Sequence, residues 1–247
     1  MSAAASNGHM GILKYFIGEA NDKETDVRLE LYGAMVSAVA SGYLDIVKFL
    51  ASKGADIRGR GNELIQVAAQ FGHLHIVKYL LSEGADIHAE YDNPVKLAIS
   101  HGHLHVVKYF VSKGARIRAP WCDPLGTAAK MGHLDMTKYF FEEFDHSGTR
   151  ICMDLYDCLS TAAGEGHLDV VKYCVSKGAD NPKKYYWALR WAASGGHLDV
   201  FRYLVNNGAD MQSVNLSDLS SPESAPVRKY LERAKPHIDP NKRTKLL

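Results

Sequence analysis

Several things are scarce in this chain of 247 residues, and each scarcity excludes something. Cysteine occurs four times, at Cys122, Cys152, Cys158 and Cys174, with spacings of 30, 6 and 16. Those spacings fit neither a Cys-x-x-Cys metal or redox pair nor a small secreted disulfide framework. Reduced thiols and an intracellular, cytoplasmic location are therefore expected. Net charge is nearly absent, at a formal +1, so no uncompensated basic surface is available for nucleic acid. No apolar run approaches the ~20 residues that span a bilayer. The start, Met1 to Asn7, is small and polar rather than basic and then apolar, unlike a signal peptide. Catalytic signatures are missing too: there is no Gly-x-Ser-x-Gly, no phosphate-binding loop and no His-Glu-x-x-His. Neither an enzyme nor a cofactor site is expected.

What the chain does have is a repeat. A Gly-(His/Tyr)-(Leu/Met) tripeptide returns at Gly8, Gly42, Gly72, Gly102, Gly132, Gly166 and Gly196, at intervals of 34, 30, 30, 30, 34 and 30. A fixed period of this size means one supersecondary unit copied along the chain, its apolar faces buried by neighbours. The unit from Asn62 to Ile87 shows the pattern. Leu64, Val67 and Ala68 fall on one side of a first helix, and Gly72 ends it. Leu74, Ile76, Val77, Leu80 and Leu81 then form the buried stripe of a second helix, which Gly84 ends.

These residues carry a resemblance. The run Ala68-Ala69-x-x-Gly72-His73-Leu74-x-Ile76-Val77-Lys78-Tyr79-Leu80-Leu81-x-x-Gly84-Ala85-Asp86-Ile87 resembles the ankyrin repeat, and its frame recurs in all seven units. The recurring Val-Lys-Tyr and Ser-Lys-Gly-Ala phrases at 30-residue spacing are similar to the expanded ankyrin families of amoeba-infecting giant viruses. The resemblance implies an all-α solenoid of stacked helix-turn-helix units. It also implies a monomeric, non-enzymatic scaffold that binds a protein, a host protein if the source is viral, through a concave face of loops and first helices. A viral adaptor to ubiquitin ligase machinery is the alternative. It would need a recruiting module, and the 13 residues after Ala234 are too few for three packed helices.

Departures from the family are informative. Its Thr-Pro-Leu-His helix opening is lost: the Thr position holds Gly33, Glu63, Asn93, Asp123, Asp157 and Trp187, and Pro remains only at Pro94 and Pro124. Asn93, Asp123 and Asp157 are expected as N-caps instead. Glu63 comes only six positions after Ile57, and the same step recurs from Ile87 to Asn93 and Ile117 to Asp123, so the finger loops are expected to be truncated hairpins. The longer connections Gly18–Gly33 and Glu142–Asp157 are expected to bend the stack or protrude. Residues 1–211 are expected to form the array, with a truncated first unit that frays. Residues 212–234 would then be a degenerate cap, and 235–247 a disordered tail.

Three sets of side chains compete as sites. His9, His73, His103, His133, His167 and His197 form one column and read as structural; the run His101-Gly102-His103-Leu104-His105 lacks a completing ligand, so no metal is expected. Lys14, Lys48, Lys78, Lys108, Lys138, Lys172 and Arg202 form a ladder. Asp45, Asp135, Asp169 and Asp199 stand three residues ahead of four of them, the spacing of intrahelical ion pairs, which makes this a solvated face. The third set lies just before each first helix: Leu31, Gly61, Tyr91, Trp121, Leu155 and Tyr185, flanked by Arg58, His88 and Arg118. Aromatic residues with arginine are the usual anchors of protein interfaces. Each ring either meets a partner or packs on the next repeat, and Tyr91 with Trp121 is the patch most expected to bind. By family analogy Phe71, His101 and Met131, at the ends of first helices, face the same groove.

Overall fold

The computed structural model describes residues 1–20, 27–57, 59–117, 123–145, 151–179 and 181–234. Within these, the side chains of 19–20, 27–28, 59–61, 91, 143–145, 151–154 and 183 are outside the description. Among the described residues there are α-helices and short 3₁₀ turns but no strand. The helices divide between two compact units, Met1–Asp123 and Pro124 onward.

The first unit holds α1 (Ser2–Ser6), α2 (Met10–Ala20), α3 (Val27–Ser41), α4 (Leu44–Ser52), α5 (Gly59–Gln70), α6 (Leu74–Ser82), α7 (Ala89–Ser100) and α8 (Leu104–Ser112). Its first helices pack in a row, α1 on α3, α3 on α5 and α5 on α7, and each second helix packs on the first helix of its own repeat. The second unit holds α9 (Pro124–Lys130), α10 (Leu134–Asp145), α11 (Ile151–Gly164), α12 (Leu168–Ser176), α13 (Tyr186–Ser194), α14 (Leu198–Asn206) and α15 (Ala225–Ala234). There α9, α11 and α13 form the first-helix row; α10, α12 and α14 form the second, with α15 against α14.

The repeated residues explain both layers. In α4, α6, α8, α12 and α14 the side chains two, three and six positions beyond the first leucine point inward. Ile46, Val47 and Leu50 are one such set, Val106, Val107 and Phe110 another, all essentially buried. Helical spacing places them on one stripe. In the first helices an alanine, such as Ala38, Ala68, Ala98 or Ala192, is buried in every copy and lets neighbouring helices approach closely; a second buried alanine follows it except in α3 and α7, where Val39 and Ile99 stand instead. Cys158 and Cys174 are buried thiols with Sγ atoms 3.3 Å apart, and Cys174 stands where other copies carry Leu or Phe. They pack as small apolar groups.

Two expectations about the loops need correction. The fingers after Ile57 and Ile87 are not truncated hairpins: α5 and α7 start at Gly59 and Ala89 and take up the finger as helix, while residues 118–122 of the finger after Ile117 lie outside the description. The chain turns there on left-handed residues, Asn62 at φ 63° and Asp92 at φ 61°. Asn and Asp reach that region at lower cost than other residues carrying a Cβ. Six residues cannot form two paired strands, so the backbone satisfies itself locally. Nor are the longer connections simply loops. Helix α3 has 15 residues and α11 has 14, against 12 for α5 and α7, so added residues lengthen helices. Residues 21–26 and 146–150 of those connections lie outside the description.

The capping expectation also changes. Asn93 and Asp157 lie inside α7 and α11; only Asp123 directly precedes a helix, the one opened by Pro124. Displaced from capping, the old Thr column ties repeats together instead. The Tyr32 hydroxyl donates to Glu63 Oε2 at 2.9 Å, and Asn93 Nδ2 donates to Gln66 Oε1 at 2.9 Å.

Candidate interaction face

The histidine column is structural, and its chemistry is specific. Nε2 of His73, His103, His167 and His197 lies 2.8–3.0 Å from the carbonyl oxygens of Ala40, Gln70, Lys130 and Gly164. A carbonyl only accepts, so each ring carries its proton on Nε2 and donates it to the C-terminal end of the preceding first helix. His75 and His105 do the same to Gly42 and Gly72, at 3.0 and 2.9 Å. The rings of His101, His103 and His105 stand 6.4 and 6.1 Å apart in sequence, with Nε2 of the latter two engaged in those bonds. Among the described residues no three metal-type side chains converge.

Burial holds the His103 imidazole below the ordinary histidine range. The Gln70 carbonyl opposes this, while His105, His101 and His73 reinforce it. The unfolded chain therefore takes up this proton first as pH falls. The stabilisation is complete above about pH 6.5 and is lost as pH drops below it. Thermal melts are expected to show a lower Tm at about pH 5.5 than at about pH 7.5. His103→Gln should narrow that difference; an unchanged difference would show that His103 is not a source of it.

The lysine ladder behaves differently from the expectation. One intrahelical pair closes, Lys138 with Asp135 at 3.5 Å. Asp169 and Asp199 instead accept from the backbone N–H of Val170 and Val200, at the starts of their own helices. The cationic heads lie over rings of the following repeat: Lys48 over Tyr79 at 5.7 Å, Lys78 over Tyr109 at 5.4 Å, Lys172 over Tyr203 at 5.8 Å and Arg202 over Tyr230 at 4.9 Å. The ladder is thus a cation–π seam along each unit, worth about 0.5–1 kcal/mol per exposed contact. Burial raises the phenol pKa of Tyr79 and Tyr203, so these rings stay neutral beneath the cations.

The aromatic loop column divides. Tyr185 is only 1% exposed, and its hydroxyl donates to the Ala179 carbonyl at 2.6 Å. Leu31 and Leu155 of the same column are buried as well. The expectation that Tyr185 contacts a partner is therefore corrected: the shortened finger draws the ring inward, where its hydroxyl satisfies a loop carbonyl. His88 is half-exposed, and its ring is held by the buried Asp92 carboxylate at 2.6 Å. Phe71, His101 and Met131 are exposed at the ends of their helices. Arg58, Arg118 and Trp121 lie outside the described residues, as does the side chain of Tyr91.

A different cluster stands out in the second unit. On α13, Ala188, Leu189, Ala192 and Ala193 are buried, which turns Trp187, Arg190, Trp191 and Ser194 outward. Trp187 and Trp191, one helical turn apart, remain 58% and 54% exposed. With Arg190, Ser194, Val214, Asp218 and Leu219 they line a slot of about 120 Å³. The Arg190 guanidinium spans its edge, donating to the Tyr186 hydroxyl at 2.7 Å and lying 3.1 Å from Asp218. Gly164 makes room for the second indole: a Cβ there would come within 3.2 Å of Trp191 Cβ. Reading the sequence by column placed Trp187 only as a departure from the family and passed over Trp191. The signal available was the buried pair-and-pair pattern of α13, which leaves positions 187 and 191 on the free face.

No described helix is long and apolar enough to cross a membrane. A search of curated proteins finds no match to the chain. Among solved structures, the crystal structure of the human ASB11 ankyrin repeat domain is similar, with a TM-score of 0.58 and 23% identity; the match covers 81% of this chain and 96% of that one. At that identity the likeness speaks for the fold. The family model for ankyrin repeats (3 copies) matches residues 35–120, 64–152 and 125–215, and with the stacked helix pairs and the glycine-ended helices this places the chain in the ankyrin repeat family.

Proposed function

We propose that this chain is a non-enzymatic scaffold that holds a protein partner on its first-helix face, anchored by Trp187 and Trp191. The observation that carries the proposal is the pair of indoles left more than half exposed beside a slot. A tryptophan side chain presents about 150–250 Å², so covering the exposed half of each ring is worth about 2–3 kcal/mol at 25 cal/mol per Å². That is the size of an interface hot spot, and tryptophan and arginine are the types enriched there. The slot is too small for a metabolite, since such pockets run to roughly 300–1,000 Å³. Phe71 and His101 of the first unit, and Met131 of the second, are proposed as further contact positions. The likeness of the repeat phrase to giant-virus families supports a host protein as the partner.

The test is selection of displayed random 12-residue peptides on the folded chain, with Trp187→Ala/Trp191→Ala as the counter-target. Enriched peptides should bind the parent at least ten-fold more tightly than the double variant, while both melt at closely similar temperatures. Peptides indifferent to the two indoles, or no enrichment, would sink the proposal.

A further inference from the structure

The slot on α13 has a charge environment that narrows what it can hold. Its floor is Val214 and Leu219, both buried, and the two indoles stand above it. Arg190 is the one cation among the lining residues, and it is already engaged by Asp218 and the Tyr186 hydroxyl. Lys184 is occupied as well, lying over the Tyr156 ring at 4.7 Å.

The carboxylates nearby are not matched in this way. Asp157, Glu165 and Glu223 are exposed, and none takes part in an ion pair among the described residues. Their placement follows from the packing of the unit. Glu165 comes directly after Gly164, which lies against Trp191. Asp157 holds on α11 the position that Trp187 holds on α13, and these two helices pack together. The backbone carbonyl of Glu223 abuts Gly196, two residues past the slot-lining Ser194. The second unit therefore presents two exposed indole faces with Asp157 and Glu165 on the adjoining helix pair and Glu223 beyond Ser194, three carboxylates without an ion pair among the described residues. An indole face attracts cations through its quadrupole, and the carboxylates add to that attraction. An acidic segment would be repelled by the same groups.

Resting on the docking role proposed above, we infer that the slot takes a segment of a partner protein in which one apolar side chain is flanked by arginine or lysine. The apolar group enters over Val214 and Leu219. A slot of about 120 Å³ suits a single side chain of aliphatic size. The flanking cations lie on the Trp187 and Trp191 faces, within reach of Asp157, Glu165 and Glu223.

The experiment titrates the full chain with three fluorescein-labelled peptides that share a central leucine, flanked on each side by two arginines, two serines or two glutamates. Anisotropy should show the arginine peptide binding at least ten-fold more tightly than the glutamate peptide. Raising the salt should weaken it several-fold, as expected for partly exposed charges. Asp157→Asn/Glu165→Gln should remove most of the preference without moving the melting temperature. The inference is overturned by a glutamate peptide that binds equally or better. It is equally overturned by an arginine peptide that fails to bind, or that binds Trp187→Ala/Trp191→Ala undiminished. Failure here is separable from failure of the docking role. Displayed peptides that need both indoles but carry no basic residues would leave the docking role standing and remove this inference alone.

Discussion

Replacing Tyr185 by alanine is expected to destabilise the second unit by about 3–5 kcal/mol, the range for removing a fully buried aromatic side chain. The ring is among the largest fully buried side chains of the protein. Its loss opens a cavity beside α13 and leaves the Ala179 carbonyl without the hydroxyl that now donates to it at 2.6 Å. Tyr185→Phe separates the two contributions. It keeps the packing and loses the hydrogen bond, so it should cost about 1–3 kcal/mol, the cost of leaving a buried acceptor unsatisfied. Thermal or urea denaturation of the two variants beside the parent checks this. The contrast with Trp187 and Trp191 is the sharper point. Exposed side chains away from buried networks typically change stability by less than about 0.5–1 kcal/mol, so the two tryptophans should be nearly silent in the melt and visible in binding. If Tyr185→Ala melts like the parent, the buried placement of this ring is wrong.

Gly72→Ala is expected to cost about 2–5 kcal/mol, from two sources of similar size. The residue sits at φ +74°, where a Cβ costs roughly 1–2 kcal/mol. A Cβ there would also lie 2.5 Å from Nδ1 and 2.7 Å from Cε1 of His103. That ring cannot withdraw freely, because its Nε2 donates to the Gln70 carbonyl at 2.8 Å. Moving it leaves a helix-end carbonyl unpaired, at about 1–3 kcal/mol. Gly54→Ala is the control. It has φ +90° but no neighbour within 4 Å of the added Cβ, so it should pay the conformational cost alone. Tm should fall further for Gly72→Ala than for Gly54→Ala, at roughly 2–4 °C per kcal/mol for a chain of this size. Equal losses at both sites would mean that the glycine–histidine contact between repeats contributes nothing.

How much of this was legible in the sequence depends on the distance over which each feature is decided. The ends of the second helices were readable from Gly54 and Gly84 and their copies, and the buried stripes from Ile76, Val77 and Leu80. Both follow from backbone sterics and helical spacing within a few residues. The paths of the fingers were not readable. Whether six residues become a hairpin or an early helical turn rests on Asn62 and Asp92 entering the left-handed region, a choice made together with neighbouring loops. Asn62, for example, accepts the Asp86 backbone N–H at 2.9 Å.

The candidate site was less legible than the fold, for the same reason. Tyr185 and Trp187 are two residues apart and equally aromatic; the pattern of α13 puts Trp187 on its free face, but nothing local tells that Tyr185, just ahead of the helix, is buried. By itself the sequence determined the repeat, its period, the helix pairs and their apolar stripes, because identical short-range patterns recur along it. Only the tertiary structure decided that Tyr185 turns inward to a loop carbonyl while Trp187 and Trp191 stand open beside Val214 and Leu219. Burial of a residue that is not repeated is set by side chains on adjoining elements, some of them about 30 residues away, and periodicity carries no information about those.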